Sequence, residues 1–213
     1  MTFENIIFDF DGVILESHKI KNRAFHQLFL PYGKKIAKMT HEYHLRNLGK
    51  SRFIKFRYII KKILNQNVTK EKLNSLSVKF NKLSFEKICN LKISNSLLNY
   101  FKTINKNTNL YISTGTPQKL IEKILKKKKI YKYFKKVYGS PLTKIQHINQ
   151  IKKNKKKTIF IGDSYEDFIS CKKTKVKVIL KKHKENKKTF INKRVIKIKN
   201  FRNFNFFLTS LKN

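Results

Sequence analysis

Short runs of apolar residues recur along the chain, and segments with helical spacing separate them. Three of these runs lead directly into the sequences DFDG, TGTP and GDS, which carry acidic, hydroxyl and glycine residues. Short apolar runs bounded by such residues are typical of strands buried within a sheet. The pattern predicts strands at residues 3–8, 109–113, 157–161, 176–180 and 195–198.

Apolar residues between the predicted strands recur at spacings that place them on one face of a helix. The helix after the second strand is predicted to have Thr116 as its N-cap and Pro117 as its first residue. Strands that alternate with helices predict an α/β fold in which helices flank a parallel sheet. The inward-facing residues are predicted to be Leu120, Ile121, Ile124 and Leu125, then Ile145, Ile148 and Ile151, and finally Phe168, Ile169 and Cys171.

Residues from about 15 to 90 break this alternation, because they contain helical patterns and no clear strand. We therefore expect a helical insertion after the first strand. Its apolar stripes are Ile20, Ala24, Phe25 and Leu28, then Phe53, Phe56, Ile60, Ile63 and Leu64, and then Leu73, Leu76, Phe80, Leu83 and Ile88.

Composition narrows the class of protein. The chain has 213 residues and 40% hydrophobic residues, which suits one domain with an insertion. No apolar run approaches the ~18 residues of a membrane span, and the start, MTFENIIFDFDG, lacks the basic region of a signal peptide. Cys89 and Cys171 are too few for a disulfide framework or a cysteine zinc site. We expect a cytoplasmic protein that makes no membrane contact.

The formal net charge of +39 admits two interpretations. A binder of nucleic acid or of another anionic surface would carry such a charge. However, the lysines are spread over the whole chain, arginine is scarce, and 21 asparagines accompany them. These features favour a compositional bias toward lysine and asparagine, and we do not expect a nucleic-acid partner. A field this positive would still attract anionic substrates.

The four aspartates of the chain fall into two pairs, Asp9 with Asp11 and Asp163 with Asp167, and each pair follows an apolar run. The carboxyl ends of parallel strands meet at one edge of a sheet, where ligands bind. One carboxylate of a pair could act as a nucleophile while the other moves a proton. Converging carboxylates also need a cation, and hard oxygen ligands without histidine or cysteine favour Mg²⁺ over zinc.

Four motifs in this order resemble those of the haloacid dehalogenase-like (HAD) hydrolase superfamily, in its phosphatase and phosphomutase branch. FDFDGVILES resembles the first motif, LYISTGTPQ the second, Lys144 in GSPLTK the third, and IFIGDSYED the fourth. The resemblance covers essentially the whole chain. It implies a Rossmann-like HAD core formed by residues 1–15 and 91–213, with an inserted α-helical cap at residues 16–90. The cap would move on hinges near 15–17 and 90–94.

The resemblance also implies roles for the four aspartates. Asp9 would be the nucleophile that forms an aspartyl-phosphate, and Asp11 the general acid and base. Mg²⁺ would be held by the Asp9 carboxylate, the Asp11 backbone carbonyl and Asp163, with Asp167 in support. An aspartate at position 11 argues against a dehalogenase, because the dehalogenases after which the superfamily is named lack an aspartate at this position.

Further residues of the motifs would contact the transferred phosphoryl group. Lys144 would offset the negative charge of Asp9 and of the phosphoryl group. Either Ser113 or Thr114 would donate a hydrogen bond to it, and the sequence leaves this choice open. Gly12 and Gly115 lie beside these residues in the motifs and are expected to contact the phosphate as well.

Residues 49–52, GKSR, resemble the specificity loop of sugar-phosphate mutases in this branch. Arg52 could then hold a second phosphate or a carboxylate of the substrate. The alternative is an ordinary helix start, with Ser51 as N-cap and Arg52 in solvent. His41 and His44, just before the loop, either line the pocket or pack elsewhere.

Lys55 and Arg57 are expected to be solvated, as charged residues of a helix surface usually are. The function that best combines these features is a Mg²⁺-dependent phosphomonoester hydrolase acting on a small phosphorylated metabolite. The alternatives are a phosphomutase of the beta-phosphoglucomutase type and a basic nucleic-acid-associated protein. The sequence identifies neither the substrate nor the oligomeric state.

Overall fold

The computed structural model describes residues 3–104, 107–152, 157–186, 190 and 195–211. Within these residues six parallel strands form one sheet, and helices cover both faces of this sheet. The α/β fold with a parallel sheet is therefore confirmed. The strands are β1 (Asn5–Phe8), β2 (Asn109–Pro117), β3 (Lys136–Ser140), β4 (Thr158–Gly162), β5 (Lys177–Lys181) and β6 (Ile196–Ile198), and their order across the sheet is β3-β2-β1-β4-β5-β6.

Strand β1 lies in the middle of the sheet and is buried along its whole length. Its residue Ile7 is in register with Tyr111 of β2 on one side and with Phe160 of β4 on the other. Since all three strands run in the same direction, their carboxyl ends meet at one edge. The segments that follow β1, β2 and β4 therefore lie side by side, and these segments contain the candidate motifs.

Two hydrophobic clusters hold the helices against the sheet. On one face, Phe8 packs edge-on against Phe101, with ring centroids 5.6 Å apart. On the other face, Ile7, Phe160 and Ile148 form a smaller cluster. The helices that flank the sheet are α5 (Asn95–Thr103), α6 (Gln118–Lys127) and α9 (Phe204–Ser210) with the first cluster, and α7 (Lys144–Lys152) and α8 (Tyr165–Thr174) with the second.

The helical insertion after β1 has a hydrophobic cluster of its own. Phe25, Phe29, Phe56 and Phe80 are buried at its centre, with the rings of Phe25 and Phe80 5.1 Å apart. Phe25, Phe56 and Phe80 come from the apolar stripes that the sequence showed, whereas Phe29 was not among the predicted residues. The helices are α1 (His18–Phe29), α2 (Lys34–Arg46), α3 (Arg52–Tyr58), which continues as a π-helical turn at Ile59–Ile63, and α4 (Lys70–Asn90).

The edge strand β3 was missed by the sequence analysis. It begins with an exposed lysine and ends in Gly139 and Ser140, so it shows no apolar run. An added Cβ at Gly139 would lie 2.6 Å from the carbonyl oxygen of Thr116. The glycine is required there because two backbones approach closely.

The start of α6 also differs from the prediction. Strand β2 continues as far as Pro117, which pairs with Ser140 of β3, and the helix begins at Gln118. The side-chain amide of Gln118 accepts a hydrogen bond from the Gly139 N–H and donates one to the Val137 carbonyl, 2.9 Å away. Pairing with β3 therefore overrides the local N-cap signal of Thr116, and that prediction was wrong.

The buried face of α8 is more polar than predicted. Cys171 is buried as expected, but Phe168 and Ile169 are only half-buried. The inward face instead begins with Asp167, which forms a capping box with Ser164. The buried residues of α8 are Asp167, Ser170, Cys171 and Thr174, so the predicted inward positions of Phe168 and Ile169 were wrong. No helix in the described part of the chain is long and apolar enough to cross a membrane.

Phe8 should be a major contributor to stability, because its ring is fully buried among aromatic neighbours. We expect Phe8→Ala to lower the free energy of unfolding by about 3–5 kcal/mol, measured by urea denaturation. Phe206 is 77% exposed, so Phe206→Ala is the matched control and should change it by less than about 0.5 kcal/mol. Equal effects of the two changes would contradict this description of the core.

Candidate active site

A buried ion network lies at the carboxyl edge of the sheet. Asp9 follows β1, and its Oδ2 atom is 2.9 Å from Lys144 Nζ at the start of α7. Lys144 Nζ also lies 2.5 Å from Oδ1 of Asp167 in α8. Although burial favours the neutral amine, the charges of Asp167 and Asp9 raise the pKa of Lys144 above its ordinary value. The lysine is therefore charged and ties three elements together.

The pKa of Asp9 departs strongly from its usual value. Burial raises it well above the ordinary range, Lys144 opposes this shift, and the charges of Asp167, Asp163 and Asp11 raise it further. Burial and the three neighbouring carboxylates thus outweigh Lys144 at Asp9, and a bound cation would relieve this imbalance.

Asp163 follows β4 and has two different carboxylate oxygens. Its Oδ2 atom accepts hydrogen bonds from Nε2 of His18, at 2.6 Å, and from Nε2 of His183, at 2.7 Å. Its Oδ1 atom is buried and has no hydrogen-bond partner among the described residues. Although burial alone would raise the pKa of Asp163, the two histidines lower it, so the carboxylate is ionised.

His18 and His183 were not identified from the sequence. Their rings stack with centroids 4.6 Å apart, and both orient the same carboxylate. A signal for His183 did exist, because it follows β5, the strand next to β4. A polar residue just beyond that strand reaches the same edge of the sheet.

The acidic residues at this edge fit a hard cation. Ligand atoms of Asp9, Asp163 and Asp167 lie within 4.8 Å of one another. The unpartnered Oδ1 atom of Asp163 is an acceptor that a bound cation would satisfy. The Oδ2 atom of Asp167 already accepts from the backbone N–H and the hydroxyl of Ser164, at 2.9 and 2.6 Å. Asp167 is therefore better placed to support the other carboxylates than to contact a cation directly.

Asp11 lies two residues after Asp9 in the first motif. Its Oδ1 atom accepts from Ser17 Oγ at 2.5 Å, and its Oδ2 atom accepts from Lys21 Nζ and from Thr116 Oγ1, the latter at 3.2 Å. Burial alone would raise the pKa of Asp11, but the charge and hydrogen bond of Lys21 lower it. Asp11 is thus ionised in this arrangement.

Gly12 leaves space for Asp163 to approach the loop that contains Asp9 and Asp11. Its φ angle is +80°, which favours glycine. An added Cβ would lie 2.1 Å from His18 Nε2 and 2.2 Å from Asp163 Oδ2. A side chain at position 12 would displace the histidine and the carboxylate, so the glycine is required for the geometry of the site.

The structure separates the two candidate hydroxyl residues at the end of β2. Ser113 is fully buried, and its Oγ atom donates to Nδ1 of His147 at 2.9 Å. Burial lowers the pKa of His147 to about 4, so its imidazole is neutral. Thr114 and Gly115, in contrast, line the cavity between the sheet and the helical insertion. The geometry favours Thr114 over Ser113 as the residue that meets a ligand.

A cavity of about 50 Å³ lies between the carboxyl edge and the helical insertion. The loop before α3 closes one side of it. An added Cβ at Gly115 would lie 2.7 Å from the Gly49 carbonyl oxygen, so the two backbones are in contact. The walls of the cavity are Asp9, Asp11, Thr114, Gly115, Thr116 and Asp163 from the core, and His18, Lys21, Phe25, His44, Leu48, Gly49, Lys50, Arg52, Lys55 and Phe80 from the insertion.

The helix-start interpretation of the GKSR segment is right for Ser51 and wrong for Arg52, and the interpretation in which Arg52 holds a group of the substrate stays a prediction. The Ser51 side chain accepts from the backbone N–H of Phe53 at 3.3 Å and so caps α3. Arg52, however, is not in solvent. It is 5% exposed, its guanidinium lies 4.4 Å above the ring of Phe80, and it donates to Asn81 Oδ1 at 2.5 Å.

The expectation that Lys55 is solvated was wrong, whereas Arg57 is exposed as expected. Lys55 is 5% exposed because it shares the buried face of α3 with Arg52 and Phe56. Burial, reinforced by nearby cations, lowers its pKa to about 7. Its Nζ atom lies 3.1 Å from His44 Nδ1.

Of the two histidines before the loop, His44 lines the cavity and His41 does not. Burial and the charge of Lys55 hold the pKa of His44 well below its usual value. The imidazole is therefore neutral, with Nε2–H donating to Asn22 Oδ1 at 2.9 Å.

The structure combines a parallel sheet, acidic residues at the carboxyl edge of that sheet, and an inserted helical unit next to them. This combination defines a class of α/β protein. A model of the haloacid dehalogenase-like hydrolase family matches residues 6–181, which include all four motifs. The chain therefore belongs to the haloacid dehalogenase-like hydrolase family, and the resemblance seen in its motifs is confirmed.

Solved structures share this fold over nearly the whole chain. A predicted phosphoglycolate phosphatase from Haemophilus somnus matches with a TM-score of 0.72 and 15% identity, over 97% of this chain and 98% of its own. A predicted phosphatase from Clostridium acetobutylicum gives 0.69 and 16%, over 99% of both chains. A protein from Bacillus subtilis, described as a HAD-hydrolase bound to magnesium, gives 0.65 and 14%, over 98% and 100%. At such identities the likeness establishes the fold, and no curated protein matches the sequence.

The buried ammonium group of Lys55 should destabilise the folded protein. Between pH 7 and pH 10.5 the unfolded chain protonates Lys55 and the folded chain does not, so stability rises with pH in this window. A shift of one pKa unit corresponds to ~1.4 kcal/mol. Replacing the shifted lysine, in Lys55→Met, should therefore raise the free energy of unfolding by a few kcal/mol at pH 6. At pH 10.5 the gain should be much smaller.

Urea denaturation of the parent protein and of Lys55→Met, at pH 6 and at pH 10.5, measures this difference in the free energy of unfolding. Arg57→Met, on the exposed side of the same helix, is the control and should give no pH-dependent difference. A Lys55→Met protein that is less stable than the parent at pH 6 would contradict the electrostatic account.

Proposed function

We propose that the protein is a Mg²⁺-dependent phosphomonoester hydrolase that acts on a small phosphorylated metabolite through an aspartyl-phosphate intermediate. The observation that carries the proposal is the buried pair of Asp9 and Lys144 beside the unpartnered Oδ1 atom of Asp163. This arrangement combines a nucleophile in Asp9, a fixed positive charge in Lys144, and in Asp163 an acceptor atom for a cation. Membership of a hydrolase family and the phosphatases among the structural neighbours support it.

In the proposed reaction a carboxylate oxygen of Asp9 attacks phosphorus, and the bond from phosphorus to the ester oxygen breaks. Water then attacks the acyl phosphate and releases inorganic phosphate. Lys144 offsets the charge of Asp9 and of the phosphoryl oxygens, since phosphoryl transfer depends mainly on positioning and charge stabilisation. Asp9, the Asp11 carbonyl and Asp163 would hold Mg²⁺, with Asp167 in support, and the ion would supply positive charge to the phosphoryl group.

Asp11 would act as general acid and base. In its observed form it is ionised by its contact with Lys21, and this is the form that a base needs to activate water. To protonate the leaving oxygen, Asp11 must first gain a proton, so its contact with Lys21 must weaken when substrate is bound.

The phosphoryl group would be held by Thr114 and by the backbone of Gly12 and Gly115, and Arg52 would contact the rest of the substrate. We assign the catalytic core to residues 1–15 and 91–213 and the cap to residues 16–90. Separate hydrophobic clusters in the sheet and in the helical insertion support this division.

A phosphomutase of the beta-phosphoglucomutase type is the second candidate. It is favoured by the contact between the GKSR loop and Gly115, which covers the site, and by the burial of Arg52. A mutase would return a labelled sugar phosphate as its isomer, whereas a hydrolase would release free phosphate.

Replacement of the nucleophile tests the proposal. We expect Asp9→Asn to lower phosphate release from the best substrate by at least about 10³-fold, and removal of Mg²⁺ by chelation to abolish it. Phosphate release is measured over a panel of phosphomonoesters. Glu86 is an exposed carboxylate paired with Lys127, so Glu86→Gln should retain full activity. Unchanged release by Asp9→Asn would remove the proposed mechanism.

The two hydroxyl residues of β2 should respond differently to substitution. Thr114→Val should lower kcat by about 10²-fold because a donor to the transferring group is lost. Ser113→Ala should mainly affect stability, by about 1–3 kcal/mol, because it leaves His147 without its buried partner. Steady-state kinetics and urea denaturation of both variants separate the effects, and a larger loss of kcat in Ser113→Ala would reverse the assignment.

A further inference from the structure

A second group of possible metal ligands lies beside the oxygen cluster of Asp9, Asp163 and Asp167. Nε2 of His18 and Nε2 of His183 converge on Oδ2 of Asp163, and these three atoms lie within 4.8 Å of one another. The three side chains are almost completely buried, with 8%, 6% and 2% exposed for His18, His183 and Asp163. Two imidazole nitrogens and one carboxylate oxygen suit Zn²⁺ and similar divalent transition metals, whereas the oxygen cluster suits Mg²⁺.

The loop that carries His183 is held in place by Asn186, which is itself buried. The Asn186 side chain accepts from the backbone N–H of His183 at 2.9 Å and donates to the carbonyl oxygens of Asp163 and Lys181, each at 2.8 Å. The loop after β5 is thus tied to the residue whose carboxylate the histidines share. Outer hydrogen bonds of this kind keep metal ligands in position.

His18 reaches the same carboxylate from the first turn of α1, next to the backbone of Gly12. An added Cβ at Gly12 would lie 2.1 Å from His18 Nε2 and 2.2 Å from Asp163 Oδ2. A side chain at position 12 would therefore take up the space next to two of the three ligand atoms. Glycine at this position leaves that space open.

The hydrogen bonds of Asp163 are distributed unevenly. Two imidazoles donate to Oδ2, at 2.6 and 2.7 Å, while Oδ1 has no hydrogen-bond partner among the described residues. If the histidines served only to stabilise the carboxylate, one donor on each oxygen would satisfy both atoms. Two imidazoles directed at one oxygen is instead the arrangement in which a single ion can contact all three side chains.

We propose that His18, His183 and Asp163 form a second metal site, which takes a divalent transition metal such as Zn²⁺ and is distinct from the oxygen site for Mg²⁺. The ion would replace the Nε2 hydrogens. Each imidazole would bind in its neutral form with the hydrogen on Nδ1, and an imidazolium would release its other proton to solvent.

The geometry requires only a small rearrangement. Ligands about 2.1 Å from a tetrahedral ion lie about 3.4 Å from one another. The two distances between the imidazole nitrogens and Oδ2 would therefore increase by less than about 1 Å. Asp163 would then bridge two ions, with Oδ1 toward Mg²⁺ and Oδ2 toward the transition metal.

Titration calorimetry of the full chain with Zn²⁺, in excess Mg²⁺ to occupy the oxygen site, tests the inference without turnover. We expect one Zn²⁺ to bind per chain. His18→Gln and His183→Gln each remove a ligand but keep an N–H donor for Asp163. Each should weaken Zn²⁺ binding by at least about 10²-fold, since loss of even an outer partner costs about 10–100-fold. Circular dichroism confirms that each variant is folded.

Two control variants locate the ion. His26 and His41 form another histidine pair, with ring centroids 5.8 Å apart, so His26→Gln tests whether Zn²⁺ binds in the helical insertion. Asp9→Asn alters the oxygen cluster and leaves the three proposed ligands intact. Both controls should retain the affinity for Zn²⁺.

Three results would overturn the inference. The first is a parent protein that does not bind Zn²⁺, and the second is Zn²⁺ affinity that survives both His18→Gln and His183→Gln. The third is Zn²⁺ affinity that is lost in Asp9→Asn or in His26→Gln, because the ion would then lie elsewhere.

This inference does not depend on the proposed function. Zn²⁺ binding that is lost in the two histidine variants supports the second site even if the protein releases no phosphate from any compound. Phosphate release without such binding supports the hydrolase and removes the second site.

Discussion

The buried contact of Lys144 with Asp9 and Asp167 is the interaction on which the site depends. It joins β1, α7 and α8 through charges that are almost completely removed from water. Such a group is tolerated only when every charge has a partner, and loss of one partner typically costs about 3–5 kcal/mol. The central strand β1 provides the position, because its carboxyl end lies between those of its two neighbours. The strand order therefore determines which charged side chains meet, and their contacts offset the free-energy cost of burying them.

Charge balance differs between the two sides of the cavity. On the sheet side, burial and the neighbouring carboxylates outweigh Lys144 at Asp9, and a bound cation would relieve this imbalance. On the side of the insertion, Arg52 and Lys55 have neutral hydrogen-bond partners, Asn81 and His44. The overall charge of +39 is a separate matter, because most lysines are spread over the surface and only a few face the cavity.

The sequence predicted much of the fold, because apolar runs and helical spacings report burial directly. It also located Asp9, Asp11 and Asp163 at strand ends, since so few aspartates occur in the chain. It missed β3 because an edge strand with a lysine and a glycine lacks an apolar run. It also assigned Lys55 to solvent, because helical spacing shows which residues share a face but not which cavity that face borders. The contact between distant segments that His18 makes with Asp163 has no local signal.

The contact between the GKSR loop and the core bears on how a substrate would enter. Gly49 has a φ angle of +84°, and an added Cβ there would lie 2.3 Å from Ser164 Oγ. Under the proposed function, movement of this loop would control the access of a phosphorylated metabolite to Asp9. A substrate that contacts Arg52 on the insertion and Lys144 beside the sheet would, under the same function, itself favour closure, because a ligand shifts an equilibrium by its preference for one state.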